Sequence, residues 1–339
     1  MVIFFQQTIL FALPLMMVAL AGVFSERSGI INIALEGMMV FGAFIGVLTV
    51  RLLLRAGFTP ATGQILLIIA CIAATVGGGV FSLLLAFASI NLKADQTIGG
   101  TALNLLAPAV VLFLILLMTS QGVLNISSEG INYNSAELFM LYKTDFGFTV
   151  GQKIPVFLEI LINKVYPTTY YAIAIYIVLS IILYKTKFGL RLRSCGENPS
   201  ASDSVGIKVN KMRYIGTVIS GCLAGFGGFI YVLSADGCSS TGSVAGMGFL
   251  ALAVMIFGNW KPVNIVFASL LFGALKCISV SYAVIDFNGD GIYWLTSLGI
   301  SSHIYRIIPY VITLIVLAFT SKSSRAPKAE GIPYDVGKR

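Results

Sequence analysis

Apolar stretches long enough to cross a lipid bilayer follow one another along almost the whole chain. They fall at Thr8 to Phe24, Gly37 to Leu54, Gln64 to Ile90, Ile98 to Ser120, Thr168 to Tyr184, Tyr214 to Ser234, Val244 to Phe257, Val263 to Ile285 and Ile304 to Thr320. A helix needs about 20 such residues to span roughly 30 Å of hydrocarbon. Within hydrocarbon each backbone N–H and C=O must be paired inside its own segment, so a sequence of this kind builds helices. The expected fold is therefore all-α, a polytopic transmembrane helix bundle of about nine spans. With 11% charged residues against the roughly 25% of soluble domains, lipid is the solvent for most of the chain. The Val244 to Phe257 window is short and flanked by glycine, and reads as a broken or re-entrant segment. MVIFFQQT carries no basic n-region and the apolar run continues to Phe24, so the first segment is expected to stay as an anchor and not to be cleaved.

Charge orients the bundle. The loop Lys185 to Arg213 holds seven Lys/Arg against two acids, which places it in the cytoplasm by the positive-inside bias. Alternating outward from it puts the N-terminus outside and the C-terminus inside, in agreement with the basic stretch 321–339 (Lys322, Arg325, Lys328, Lys338, Arg339). The expected organisation is a membrane domain over 1–320 followed by that cytoplasmic tail, integral to the cytoplasmic (inner) membrane. Residues 121–167 then lie outside, with four acids and three lysines, and Ile154 to Val165 reads as a short interfacial helix able to receive an external partner; a poorly ordered surface loop is the alternative. The net charge of +8 gathers in the loop and the tail, a distribution that orients a membrane protein and does not call for nucleic acid. Five scattered cysteines without a CxxC pair and the single His303 support neither a metal site nor a disulfide framework, and no cofactor is expected. DFNGDG at Asp286 to Gly291 opens like a calcium loop but has Ser297 where a bidentate Glu belongs, so it reads as a tight turn. No GxxxxGK[ST] is present, so ATP is not held by that motif.

Within the basic loop, Asn198 is placed to cap a helix of about two turns, Pro199 to occupy its first position and Gly206 to end it in a left-handed conformation. Tethered between two spans, such a helix has the form of a plug for another protein's socket. A second polar island, Ser25 to Phe44, brings Glu26, Arg27, Asn32 and Glu36 into an apolar region. Glu26 and Arg27 fit the membrane surface, whereas Asn32 and Glu36, four apart, either face a pore or cap the next span. Gln96, Thr97 and Asn104 are neutral donors and acceptors at the start of the fourth window, suited to a polar uncharged solute or to hydrogen bonds between helices. Gly77 to Gly79 and Gly221, Gly225, Gly227 and Gly228 allow close helix approach, for tight packing or for motion.

Three segments carry a specific resemblance. ERSGIINIALEGMM at Glu26 to Met39, FGLRLRS at Phe188 to Ser194 and GENPSASDSVGI at Gly196 to Ile207 resemble the membrane permease of ATP-binding-cassette importers of the branched-chain amino acid and ribose type, in particular the nucleoside-import branch. LKADQTIGGTALNLLAP at Leu92 to Pro108 and GFLALAVMIFGNWKP at Gly248 to Pro262 are similar to further parts of such permeases, so the likeness covers nearly the whole chain. It implies that Asn198, Pro199, Ser200, Ala201, Ser202, Asp203 and Gly206 form the coupling helix that docks on an ATPase. The importer pattern E-A-A-x-x-x-G falls on Ser200-Ala201-Ser202-x-x-x-Gly206, which keeps the central Ala and the Gly and lacks the Glu.

The resemblance implies a permease subunit that takes solute from an external binding protein or lipoprotein, is driven by a separate ATPase and pairs with a second, unlike permease. A nucleoside is the implied solute, with sugars or branched-chain amino acids as alternatives. Asn32, Glu36, Gln96, Thr97 and Asn104 are the expected pathway contacts. An ion-coupled transporter or channel is the competing class; its coupling charges would sit at mid-membrane, where the candidates are Glu36 and Lys276, the latter read as snorkelling or facing a neighbour.

Overall fold

In hydrocarbon a helix is the cheapest way to pair a backbone with itself, and the apolar windows become helices accordingly. The computed structural model describes residues 2–126, 133–149, 155–283, 301–320 and 325–335. In chain order the helices are α1 (Val2–Glu26), α2 (Leu35–Arg55), α3 (Gly63–Ala86, running into a π-helical turn over Phe87–Asn91), α4 (Gln96–Thr119), α5 (Ser135–Phe139), α6 (Val156–Ile162), α7 (Thr168–Lys185), α8 (Lys187–Glu197), α9 (Pro199–Ser204), α10 (Val209–Ala235), α11 (Met247–Phe257), α12 (Pro262–Ser281) and α13 (Ser302–Thr320). The described strands are two-residue pieces, β1 (Leu124–Asn125) and β2 (Ser239–Ser240), paired antiparallel with Leu124 opposite Ser240.

Among the described residues, seven helices are long and apolar enough to cross a membrane: α1, α2, α3 with its π turn, α4, α7, α10 and α12. The nine windows therefore do not translate into nine full-length helices. The Val244 window yields only the 11-residue α11, whereas the last window becomes the 19-residue α13. The chain ahead of α11 is non-helical from Asp236 to Gly246, holding only the short β2, with φ of +59° at Cys238 and +51° at Ala245, so the break expected there is present. DFNGDG lies outside the described residues, as do parts of the segments 121–167 and 321–339.

α10 is the axis of the packing. It lies against α1, α2 and α3, while α12 covers another face of α1. As a result 89% of the apolar window of α1 is buried, against 22% for α4, which turns most of its surface outward. Glycine makes the central approach possible. A Cβ on Gly42 of α2 would lie 2.2 Å from the Gly225 Cα of α10, and one on Gly228 of α10 would lie 2.2 Å from the Met39 carbonyl oxygen of α2. Both contacts are with backbone, which cannot rotate out of the way.

The substitution Gly42→Val should therefore force α2 and α10 apart, at a cost of about 1–3 kcal/mol. The expected result is a lower thermal midpoint in detergent than for Gly122→Ala, whose Cβ meets nothing within 4 Å. Equal midpoints would refute the packing account.

Candidate functional site

The polar island after α1 is a break in the helix, and side chains from other elements take up several of its hydrogen bonds. Beyond Glu26 the chain turns at Gly29 (φ +100°) and is irregular until α2 begins at Leu35. The Ile31 N–H donates to Gln96 Oε1 (2.7 Å), Asn104 Nδ2 donates to the Ile33 carbonyl (2.8 Å), and the Gly37 N–H donates to Asn104 Oδ1 (2.8 Å). Asn32 Nδ2 donates to Ser220 Oγ on α10 (2.8 Å). Thus Gln96 and Asn104, two turns apart on α4, hold the break from one side and Ser220 from another. Thr97 stands apart: it is exposed, and its N–H donates to Asp95 Oδ1 (2.8 Å), part of the cap that starts α4.

Glu36 joins this break to the second one. From the first turn of α2 its carboxylate accepts from the Gly246 N–H (3.0 Å) and the Gly248 N–H (2.6 Å) at the start of α11. Two helix N-termini thus converge on one carboxylate, where their dipoles favour negative charge. Of the two uses the sequence left open for Glu36, the hydrogen bonds are those of a cap, made to α11 and not to the helix that carries it. Lys276 of α12 approaches the same place, with Nζ 3.4 Å from the Ala245 carbonyl and 6.0 Å from the Tyr310 ring centroid. Ala245, Lys276, Ser279, Tyr282, Arg306 and Tyr310 line a cavity of about 430 Å³, and Tyr282 stacks on Tyr305 at 4.6 Å. In the sequence Lys276 stands out as a candidate coupling charge that snorkels or faces a neighbour. Tyr282, Arg306 and Tyr310 gave no signal, because aromatic and basic residues at the ends of apolar windows are ordinary membrane anchors. Nearby, burial pushes the Asp236 carboxyl above its ordinary range while Lys276 pulls it back.

The expected coupling residues come together in one short element. Asn198 Oδ1 accepts from the Ala201 N–H (3.0 Å), Pro199 takes the first helical position, and α9 runs for six residues. Its far end closes with the Gly206 N–H on the Asp203 carbonyl (2.9 Å) and the Ile207 N–H on the Ser202 carbonyl (3.0 Å), the two bonds of a Schellman motif, with Gly206 at φ +83°. Ser202 is buried beneath, and Asn198, Ser200 and Val205 are exposed. A groove between α8 and α9 is lined by Leu190, Ser194, Ala201, Val205 and Ile207. Leu190 and Val205 are 62% and 75% exposed, unusual for large apolar side chains on a polar loop. Arg27 ties the loop to the first break through Glu197 (3.2 Å).

Comparison with known proteins gives the setting. A family model described as branched-chain amino acid transport system / permease component matches residues 4–317. The chain is 38% identical over 336 residues to the guanosine ABC transporter permease protein NupQ of Bacillus subtilis, covering 98% of this chain and 96% of that one. It is 39% identical over 327 residues to the nucleoside ABC transporter permease protein NupC of Lactococcus lactis, covering 96% and 94%. A second permease protein of that organism, NupB, is 28% identical over 162 residues, 48% of this chain and 41% of its own. No solved structure matches.

Asn104→Leu should leave the Gly37 N–H and the Ile33 carbonyl without partners, at roughly 1–3 kcal/mol for each group. The thermal midpoint in detergent should fall clearly for this variant and hardly at all for Thr97→Val. If the two behave alike, Asn104 does not secure the break.

Proposed function

Because this chain belongs to the family of permease components of branched-chain amino acid transport systems, we propose that it is the transmembrane permease subunit of an ATP-driven importer of nucleosides. It is a multi-pass integral membrane protein and a transport subunit, not an enzyme. The observation that carries the coupling role is α9, a helix fixed at both ends and bordered by exposed Leu190 and Val205. A rigid apolar projection on a basic loop suits a groove on a partner protein, and the partner is the ATPase. The relatives named for guanosine and nucleoside transport support the solute class. NupC and NupB, two permease proteins of one organism, support pairing with a second, unlike permease, and an external solute-binding protein or lipoprotein completes the assembly.

In this reading the protein sits in the cytoplasmic membrane with 185–213 and the 321–339 tail inside and 121–167 outside. Thr97 and the half-buried Asn104 on the outward-facing α4 are proposed to meet solute directly. Asn32, Glu36 and Gln96 act on the pathway by fixing the two breaks beside it. The cavity at Lys276 offers a purine what it needs, cationic donors for ring acceptors and tyrosine faces for stacking.

Orientation is checked with single cysteines on a cysteine-free background: an impermeant reagent applied outside should label Thr144→Cys and spare Ser200→Cys, and the reverse pattern overturns the topology. Coupling is checked with Asn198→Leu, which loses a cap worth about 1 kcal/mol, and with Gly206→Pro, which removes the N–H that closes α9. Both should lower nucleoside uptake per ATP hydrolysed while the chain stays folded in the membrane. Unchanged uptake per ATP in both removes α9 from the mechanism. Transport by the purified chain without an ATPase would favour the ion-coupled class instead.

A further inference from the structure

Residues 325–335, which the sequence marks only as part of a basic tail, cross the end of the bundle where α1, α8 and the α11–α12 turn finish and where α10 begins. Their backbone is pinned in four places. The Arg325 N–H donates to Asn259 Oδ1 (2.9 Å), the Ala329 N–H to the Gly196 carbonyl (2.9 Å) and the Gly331 N–H to the Gly29 carbonyl (3.3 Å), while the Ile332 carbonyl accepts from Arg213 Nη1 (2.9 Å). A salt bridge of 2.9 Å between Asp335 and Lys93 lies at the far end, exposed on both sides and therefore a weak tie. Midway, Ala329 is buried and Glu330 lies beside Glu26, which accepts from Trp260 Nε1, while Glu330 Oε2 is buried without a hydrogen-bond partner.

These anchor points matter because of what they join. Gly196 lies two residues before the Asn198 cap of α9, and Gly29 opens the first helix break, which through Glu36 is joined to α11. We propose that 325–335 is a strap that makes the coupling loop and the first helix break move as one body, with Glu330 as the positioning residue that locks it. The proposal rests on reading α9 as the coupling helix. Without the strap, the direct side-chain tie between the two is the Arg27–Glu197 ion pair, whose Glu197 side chain is 46% exposed and therefore weakly held.

The lock has a pH signature. Burial pushes the Glu330 carboxyl up from 4.5 to about 7, with its contact to Glu26 and the charge of Arg27 acting against it. The charged groups around it are Glu26 and Arg27 at the end of α1, and Glu197 on α8 beyond Arg27; Arg213 on α10 and the Lys93–Asp335 pair lie further along the strap. A carboxyl whose value rises on docking takes up a proton there, so docking is strongest below 4.5 and weakens as pH climbs through about 7.

The test uses the permease with its ATPase in liposomes, reading ATP hydrolysed per nucleoside imported and the labelling rate of Ala329→Cys on a cysteine-free background. Gly331→Val places a side chain at φ +75° and 2.7 Å from Ile31 Cδ1, and Glu330→Lys sets a second cation beside Arg27. Each should raise ATP used per solute about threefold or more, a coupling change on the scale of 0.6 kcal/mol and above, with ATPase binding retained. Labelling of Ala329→Cys, divided at each pH by the rate for a small free thiol so that the thiolate fraction cancels, should be slow near pH ~5.5 and faster near pH ~8, and Glu330→Gln should abolish that difference while keeping coupling intact. Normal coupling in both disruptive variants overturns the strap, as does labelling that ignores pH. If the unaltered chain binds no ATPase, the importer reading itself falls and takes the strap's role with it.

Discussion

A backbone surrounded by hydrocarbon cannot leave its polar groups unpaired, and the chain departs from helical self-pairing at two places inside the bundle, 27–34 and 236–246. Each departure has to be made good by side chains from elsewhere. Gln96 and Asn104 supply what Ile31, Ile33 and Gly37 lack, and Glu36 supplies what Gly246 and Gly248 lack. The polar residues that look out of place in apolar windows are thus the condition for having breaks at all. Because the donors and acceptors sit on α4 and α2, the same bonds also fix how α4, α2 and α11 lie relative to one another.

Behind the breaks is a packing that tolerates little displacement. α10 meets α2 and α3 at glycines, where a Cβ on Gly78 would come within 2.3 Å of the Gly221 carbonyl oxygen. Backbones in such contact slide or tilt as units and do not deform locally. Irregular segments with their own side-chain pairing are the places where a helical bundle of this kind can change shape without exposing backbone to lipid.

Legibility in the sequence follows the range of the interactions. α9 was readable in full, since Asn198, Pro199 and Gly206 act on neighbours within a few residues. The position of each long span was readable because hydropathy is also local. Span count was less so: an average over the Val244 window does not separate an 11-residue helix preceded by irregular chain from a short crossing. The partners of Glu36 lie more than 200 residues away and present only backbone N–H groups, which carry no sequence signal. The strap was hidden for a related reason. Charge counting saw the lysines and arginines of the tail as an orientation signal, and the residues that dock it, Ala329, Glu330 and Gly331, are the ones such counting passes over.

The proposed transmission from α9 into the bundle needs a connected series of elements with few places to absorb motion. From Asn198 the path runs back through Gly196, across the strap to Gly29, and then into the first break, where Asn104 holds Gly37 and Glu36 holds α11. Every joint along it is a hydrogen bond between backbones or from a side chain to a backbone. Displacement of α9 would therefore arrive at the starts of α2 and α11 together, because one carboxylate, that of Glu36, belongs to both. In the proposed reading, the break that looks like a weakness in the helix is the point where a push at the surface becomes a change in how two helices begin.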